Sequence, residues 1–240
     1  MIRKLSCYGI VFLFQLTSLF ALTVNQTHVT TKGKDYSVVE TRLENLDKNM
    51  PLLVIAPGKN YTMYGELFEK LAAGAAQMGY FVVRFNWSFT AAGKEPSADL
   101  SREVEDLENI ITYYGTTRFI QSGSIILAAK SLGSRVAAKS FFRKLKGLLL
   151  LTPNCSDKAP FDKIYGPILA STTPTHIVIS ALDDTCDVKQ IYKAFGKLGL
   201  NFTLHTTFGD HNFLSGKDDT DKWQEKAALA SSLAWLAQMK

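Results

Sequence analysis

Clustered basic charge is missing from this 240-residue chain. The formal charge is +5, and two of those charges, Arg3 and Lys4, lie in the first few residues. The rest are scattered, without an arginine stripe or a basic patch interleaved with aromatics, which argues against nucleic acid as a partner. Internal repeats, heptad runs and low-complexity segments are also lacking, so the chain reads neither as a solenoid nor as a coiled coil. Cysteine is scarce: of three, Cys7 lies in the N-terminal run, and only Cys155 and Cys186 remain beyond it. Two cysteines cannot make a disulfide scaffold, but they can make one bond in an oxidising compartment. Each follows the end of an expected strand, on the same rim of a sheet, and a bonded pair and two free thiols are both open on sequence alone. The acids Asp183, Asp184, Asp187 and Asp210 near His211 have the spacing of no familiar metal cage, so no metal is expected there.

What is present is ample apolar material, 46% of residues against 20% charged, enough to bury a sizeable core. The N-terminus reads Met-Ile-Arg3-Lys4 and then runs from Leu5 to Val24 without a charge. A basic start followed by an apolar stretch is the pattern of an export signal, with Ala21 as the expected cleavage position and Ser18 as the second choice. Residues 1–21 are thus expected to be a signal peptide, and the protein to be secreted or periplasmic. Contact with a membrane is expected only if residues 5–24 stay uncleaved as an anchor. One domain is expected over residues 31–240.

Along that domain short apolar runs alternate with helical patterns. Thr31 to Leu43 alternates weakly and reads as an edge strand after a flexible start. Leu52 to Ala56, Phe81 to Trp87, Ile125 to Ala129, Leu148 to Pro153, Ile177 to Ser180 and Asn201 to Thr207 read as further strands. The continuously apolar ones suit strands covered on both faces. Helices are expected over Glu66–Met78, Leu100–Tyr114, the segment after Ser131 to Leu145, Val188–Leu198 and Lys222–Met239, with a short one over Pro160–Ala170. Such alternation specifies an α/β fold, a mostly parallel central sheet with helices on both faces.

The informative stretch is Ala129-Lys130-Ser131-Leu132-Gly133. A strand stops at Lys130-Ser131, and Val136, Ala137, Phe141 and Phe142 then follow at helical spacing. Strand, exposed serine and helix are the layout of a nucleophile elbow, whose sharp turn demands small residues two before and two after the serine. Functional groups in such sheets gather outside the carboxyl ends of the strands. Asp183 and His211 both sit there, after the strands ending at Ser180 and Thr207. A serine hydroxyl needs an imidazole to take its proton, and the imidazole needs an anion on its other nitrogen. Ser131, Asp183 and His211 supply that set, with Asp184 and Asp187 as alternative acids. His28, His176 and His205 compete poorly for the base. An oxyanion would be met by the backbone N–H of Leu132 and by that of Lys59 or Asn60, in the loop opened by Pro57-Gly58.

The order Ser, Asp, His is that of α/β-hydrolases. The chain resembles that superfamily, specifically the small capless serine hydrolases related to dienelactone hydrolase, over most of residues 50–238. The resemblance rests on Ala56-Pro57-Gly58, on Val83-Arg84-Phe85-Asn86, on Ala129 to Arg135, on Asp183 and on Gly209-Asp210-His211-Asn212-Phe213. It implies the α/β-hydrolase fold without a lid domain, a Ser–Asp–His triad, and no metal or organic cofactor. It also implies a small-molecule or lipid-like ester as substrate, with a thioester as the variant. The sequence departs from the family at Pro57, where histidine is usual, and at Ala129 and Ser180, where glycine is. Pro57 motivates the rival expectation, a catalytically silent binding module on the same fold. Only Asn154 to Pro174 is available for a cap, which favours an open site.

Overall fold

The computed structural model describes residues 21–46, 48–117, 119–140, 145–155, 160–195, 201–216 and 222–240. The basic start, most of the apolar run, Phe141, Phe142 and the helix end expected at Leu198 lie outside the described residues. Eight strands form one sheet: β1 (Leu22–Thr31), β2 (Lys34–Leu43), β3 (Met50–Ala56), β4 (Phe81–Phe85), β5 (Ile120–Ser131), β6 (Gly147–Pro153), β7 (Thr175–Ser180) and β8 (Phe202–Thr207). Their spatial order is β1-β2-β4-β3-β5-β6-β7-β8. The pairs β1–β2 and β2–β4 are antiparallel, and the rest are parallel.

The central parallel strands carry continuous apolar runs because their alternate side chains enter two different cores. Leu52, Val54, Leu127, Leu148, Leu150 and Ile177 face one. Leu53, Ile55, Ile126, Leu149, Leu151 and Val178 face the other. The second core is closed by α1 (Glu66–Gln77) and α7 (Trp223–Gln238), through Leu67, Phe68 and Leu71 on one and Ala228, Trp235 and Leu236 on the other. The first is closed by α3 (Ser101–Gly115), α4 (Leu132–Lys139), α5 (Phe161–Leu169) and α6 (Val188–Phe195). A one-turn helix, α2 (Ser88–Ala91), follows β4. Each large side chain buried this way contributes about 1.5–3 kcal/mol.

The start of the sheet departs from expectation. Residues 22–31 are not a flexible lead-in but the edge strand itself, paired with β2 from Leu22↔Leu43 to Thr31↔Lys34. The link is a two-residue hairpin at Lys32 and Gly33, both at positive φ (48° and 77°), the backbone of a turn whose twist matches the strands it joins. The strand escapes notice in the sequence because it is mostly exposed and polar, with Val29 its one fully buried apolar side chain. Between β6 and β7, α5 buries Phe161, Tyr165 and Ile168 against the sheet. It therefore covers the core, and among the described residues no lid domain lies over the strand ends. No helix among the described residues is long and apolar enough to cross a membrane.

Candidate active site

Ser131 ends β5 and precedes α4 with φ 52° and ψ −114°, a backbone conformation that a side chain adopts only when its surroundings enforce it. The enforcement is visible at two glycines. A β-carbon on Gly133 would lie 2.6 Å from the carbonyl oxygen of Ala56 and 2.9 Å from that of Pro57. One on Gly58 would lie 3.1 Å from the Ser131 β-carbon. The end of β3 is thus pressed against the elbow, and only glycine fits at position 133. Ala129 does not disturb this turn, because its methyl is buried in the core beside its strand partner Ala56. Behind the turn, Ser134 Oγ donates to the Ser131 carbonyl at 2.5 Å and lies 2.7 Å from the Tyr165 hydroxyl.

His211 comes from the loop after β8. Asp210 shapes that loop, its carboxylate accepting from the N–H of Asn212 (2.7 Å) and of Leu214 (2.9 Å). Phe213 fastens the loop into the core. His211 Nε2 lies 2.8 Å from Ser131 Oγ, and Nδ1 lies 2.9 Å from Asp183 Oδ2 and 3.0 Å from Oδ1. The network fixes the tautomer: Nδ1–H donates to the carboxylate, and Nε2 accepts from the serine hydroxyl. Asp183 has a fully buried side chain. Burial pushes its carboxyl up, but His211 and the two donors of Thr185 outweigh that and hold it below the usual carboxylate range. Those donors are the Thr185 N–H at 2.9 Å and its hydroxyl at 2.8 Å, both to Oδ1.

The alternative acids are placed elsewhere. Asp184 is exposed. Asp187 accepts from the N–H of Lys189 at 2.9 Å and so caps α6. Among the other histidines, His28 is on β1, 3.4 Å from Ser37 Oγ. His176 is on β7 rather than before it, bonded to Thr203 and Ser231, and burial lowers its pKa to about 4. His205 is half-buried within β8.

Lys59 and Asn60 line a cavity of about 290 Å³ together with Gly58, Tyr61, Ser131, Asn154, Thr185, His211 and Asn212. Their loop is held by the end of β4 and the residues after it. The Trp87 indole donates to the Pro57 carbonyl (2.9 Å), and Arg84 donates to that of Met63 (2.6 Å). The Asn86 amide oxygen accepts from the Met63 N–H (2.9 Å). Pro57 therefore sits in a fastened loop. A second cavity of about 350 Å³ adjoins the first, sharing Asn60, Tyr61 and Asn212 with it.

Cys155 and Cys186 are bonded to each other. The Cys155 N–H also donates to the Thr185 carbonyl at 3.2 Å, so the bond ties the end of β6 to the loop carrying the acid. Its reduction is expected to lower stability by about 3–4 kcal/mol, from the loop entropy it restricts in the unfolded chain. A urea midpoint that dithiothreitol leaves unmoved would contradict this.

Sequence reasoning passed over Thr185, Trp87, Tyr61 and Lys130. Only Lys130 left a signal, a cation at the end of an apolar run; the others matter through contacts that no local pattern reveals.

The model of the family described as "Alpha/beta hydrolase domain" matches residues 49–236. No curated protein matches the sequence. Among solved structures, a Klebsiella pneumoniae chain assigned as a dienelactone hydrolase superposes with a TM-score of 0.70 at 15% identity, covering 91% of this chain and 99% of that one. An alpha-beta serine hydrolase homologue from Coxiella burnetii gives 0.66 at 19% identity, with 89% and 96% covered. XC6422 from Xanthomonas campestris, a serine hydrolase without lid, gives 0.67 at 15% identity, with 92% and 95% covered. At these identities the likeness is one of fold.

Proposed function

Because the chain belongs to the alpha/beta hydrolase domain family, we propose that it is a serine hydrolase cleaving carboxylic esters through an acyl-enzyme. The observation that carries the reading is the unbroken hydrogen-bond chain from Ser131 through His211 to Asp183, opening on a cavity. Ser131 Oγ attacks the ester carbonyl while His211 Nε2 takes its proton. Asp183 keeps the imidazole in the accepting tautomer and stabilises the imidazolium. The oxyanion is met by the N–H of Leu132 at the start of α4 and by that of Lys59 or Asn60. Gly58 brings their loop against the serine. His211 then protonates the leaving alcohol, and a water repeats the sequence to release the acid.

The substrate is a small-molecule or lipid-like ester, entering a site without a lid; a thioester would follow the same steps. The silent-module reading loses its main support, since Pro57 lies in a loop fastened by Trp87 and the three reacting groups are in register. The test is labelling by a fluorophosphonate probe. Wild type labels and Ser131→Ala does not; absence of label on wild type would return the binding module to first place.

We also infer export. The basic start and apolar run favour it, β1 begins at Leu22 immediately after the expected cleavage position, and a disulfide suits an oxidising compartment. Sequencing the N-terminus of protein recovered from its native cells should find a start near Leu22. A start at Met1 would support an uncleaved anchor instead, one that ends before β1 begins at Leu22.

A further inference from the structure

Lys130 takes no part in the steps above, yet it is fully buried next to the serine. A lysine at such a place is costly unless its ammonium meets good partners. Among the described residues no carboxylate lies within ion-pair distance of it. Its Nζ donates instead to Thr152 Oγ1 and to the backbone carbonyl of His211, each at 2.7 Å. Two ring faces complete the shell, Tyr61 at 4.8 Å and Phe213 at 5.3 Å. One ammonium thus touches the strand beside the elbow, the histidine's own backbone, the oxyanion loop and the residue that anchors the histidine loop.

We propose, resting on the serine-hydrolase reading, that Lys130 is a positioning residue: it clamps the His211 backbone to the ends of β5 and β6, so that the imidazole meets the Ser131 hydroxyl. Burial draws the lysine's own pKa down to about 7, against the pull of Asp183, Asp210 and Glu225. These three acids, with His211 and the Tyr61 phenol, are the titratable groups facing it. The charge on Lys130 is therefore present on the acid side of neutrality and fades above it. Because the folded value lies below the free one, the buried lysine opposes folding at every pH below the free value, most fully at and below neutrality, and ceases to do so only in strong alkali. The clamp is paid for in stability, not a source of it.

Lys130→Met keeps the length of the side chain and removes both donor and charge. Its kcat should fall about 100-fold through misplacement of the base, with KM changed less than about threefold. Amide exchange over residues 209–214 should quicken, because the His211 carbonyl has lost its donor. The melting temperature should hold or rise, since a buried charge has been exchanged for an apolar chain. A purely structural lysine would give the opposite pattern, a lower melting temperature with kcat unmoved. Thr152→Val serves if Lys130→Met does not fold. The ammonium stays but loses one acceptor, so kcat should fall about 10-fold. Wild-type kcat in both variants would overturn the proposal. If wild type takes up no fluorophosphonate, the hydrolase reading is what fails. The clamp is then read by hydrogen exchange over residues 209–214, and exchange as slow in Lys130→Met as in wild type would sink it too.

Discussion

Ser131→Ala and His211→Ala are each expected to lower kcat for a cleaved ester by about 10⁶-fold, and the double variant by no more than either alone. The equality is the informative part. Without the imidazole, the serine at 2.8 Å has no acceptor for its proton, and without the serine the imidazole has no nucleophile to activate. Either loss leaves only what the oxyanion donors and substrate binding supply. Ser131 is held in its strained turn by contacts of Gly133 and Gly58, neither of which the substitution touches. Replacement by alanine relieves nothing and should leave the fold intact. Parallel measurement of kcat for both single variants and the double variant on one p-nitrophenyl ester decides the matter. Additive losses would mean that Ser131 and His211 act independently, and that the base belonging to this serine lies elsewhere.

Much of this site was legible before any coordinates, for a physical reason. A strand covered on both faces is mostly apolar where it crosses the core, so β3, the later half of β5 and β6 stand out as runs, and their ends mark where function collects. The elbow shows because Gly133 has no substitute beside the Ala56 carbonyl. The hidden parts are those whose role is set by distant partners. β1 is a polar edge strand stabilised by pairing with β2. Trp87 looks like any core aromatic until its indole meets the Pro57 carbonyl. The choice between neighbouring acids turns on which carboxylate faces inward, and a one-residue difference at a strand end leaves no pattern to read. The pairing of Cys155 with Cys186 is likewise a matter of which loops share a rim.

Asp183→Asn should lower kcat by about 10⁴-fold at neutral pH while the protein stays folded, and Thr185 explains why the loss is so large. Both donors of Thr185 converge on Oδ1, which also lies 3.0 Å from Nδ1, whereas Oδ2, at 2.9 Å from Nδ1, has no partner but His211 among the described residues. In the asparagine variant the amide oxygen is therefore kept at the Oδ1 position, because turning the amide over would set its N–H₂ against two donors. The N–H₂ then points at Nδ1 and donates to it. The imidazole proton moves to Nε2, where it faces the serine hydroxyl and cannot accept from it. Removing the constraint should restore part of the activity: Thr185→Val in the asparagine background deletes one of the two donors, lets the amide turn, and should regain about 10-fold. No regain would show that tautomer control is not what Asp183 supplies. Stability gives a second reading with a definite sign. The Asp183 carboxyl is held below its ordinary range in the folded protein, so its contribution is present above the unfolded value and lost as pH falls through the folded one. Urea midpoints of wild type and Asp183→Asn should accordingly differ at neutral pH and converge in acid. Asp184→Asn, altering an exposed side chain one residue away, should stay within about twofold of wild type in kcat. If the loss fell on Asp184→Asn instead, the acid would have been assigned to the wrong carboxylate.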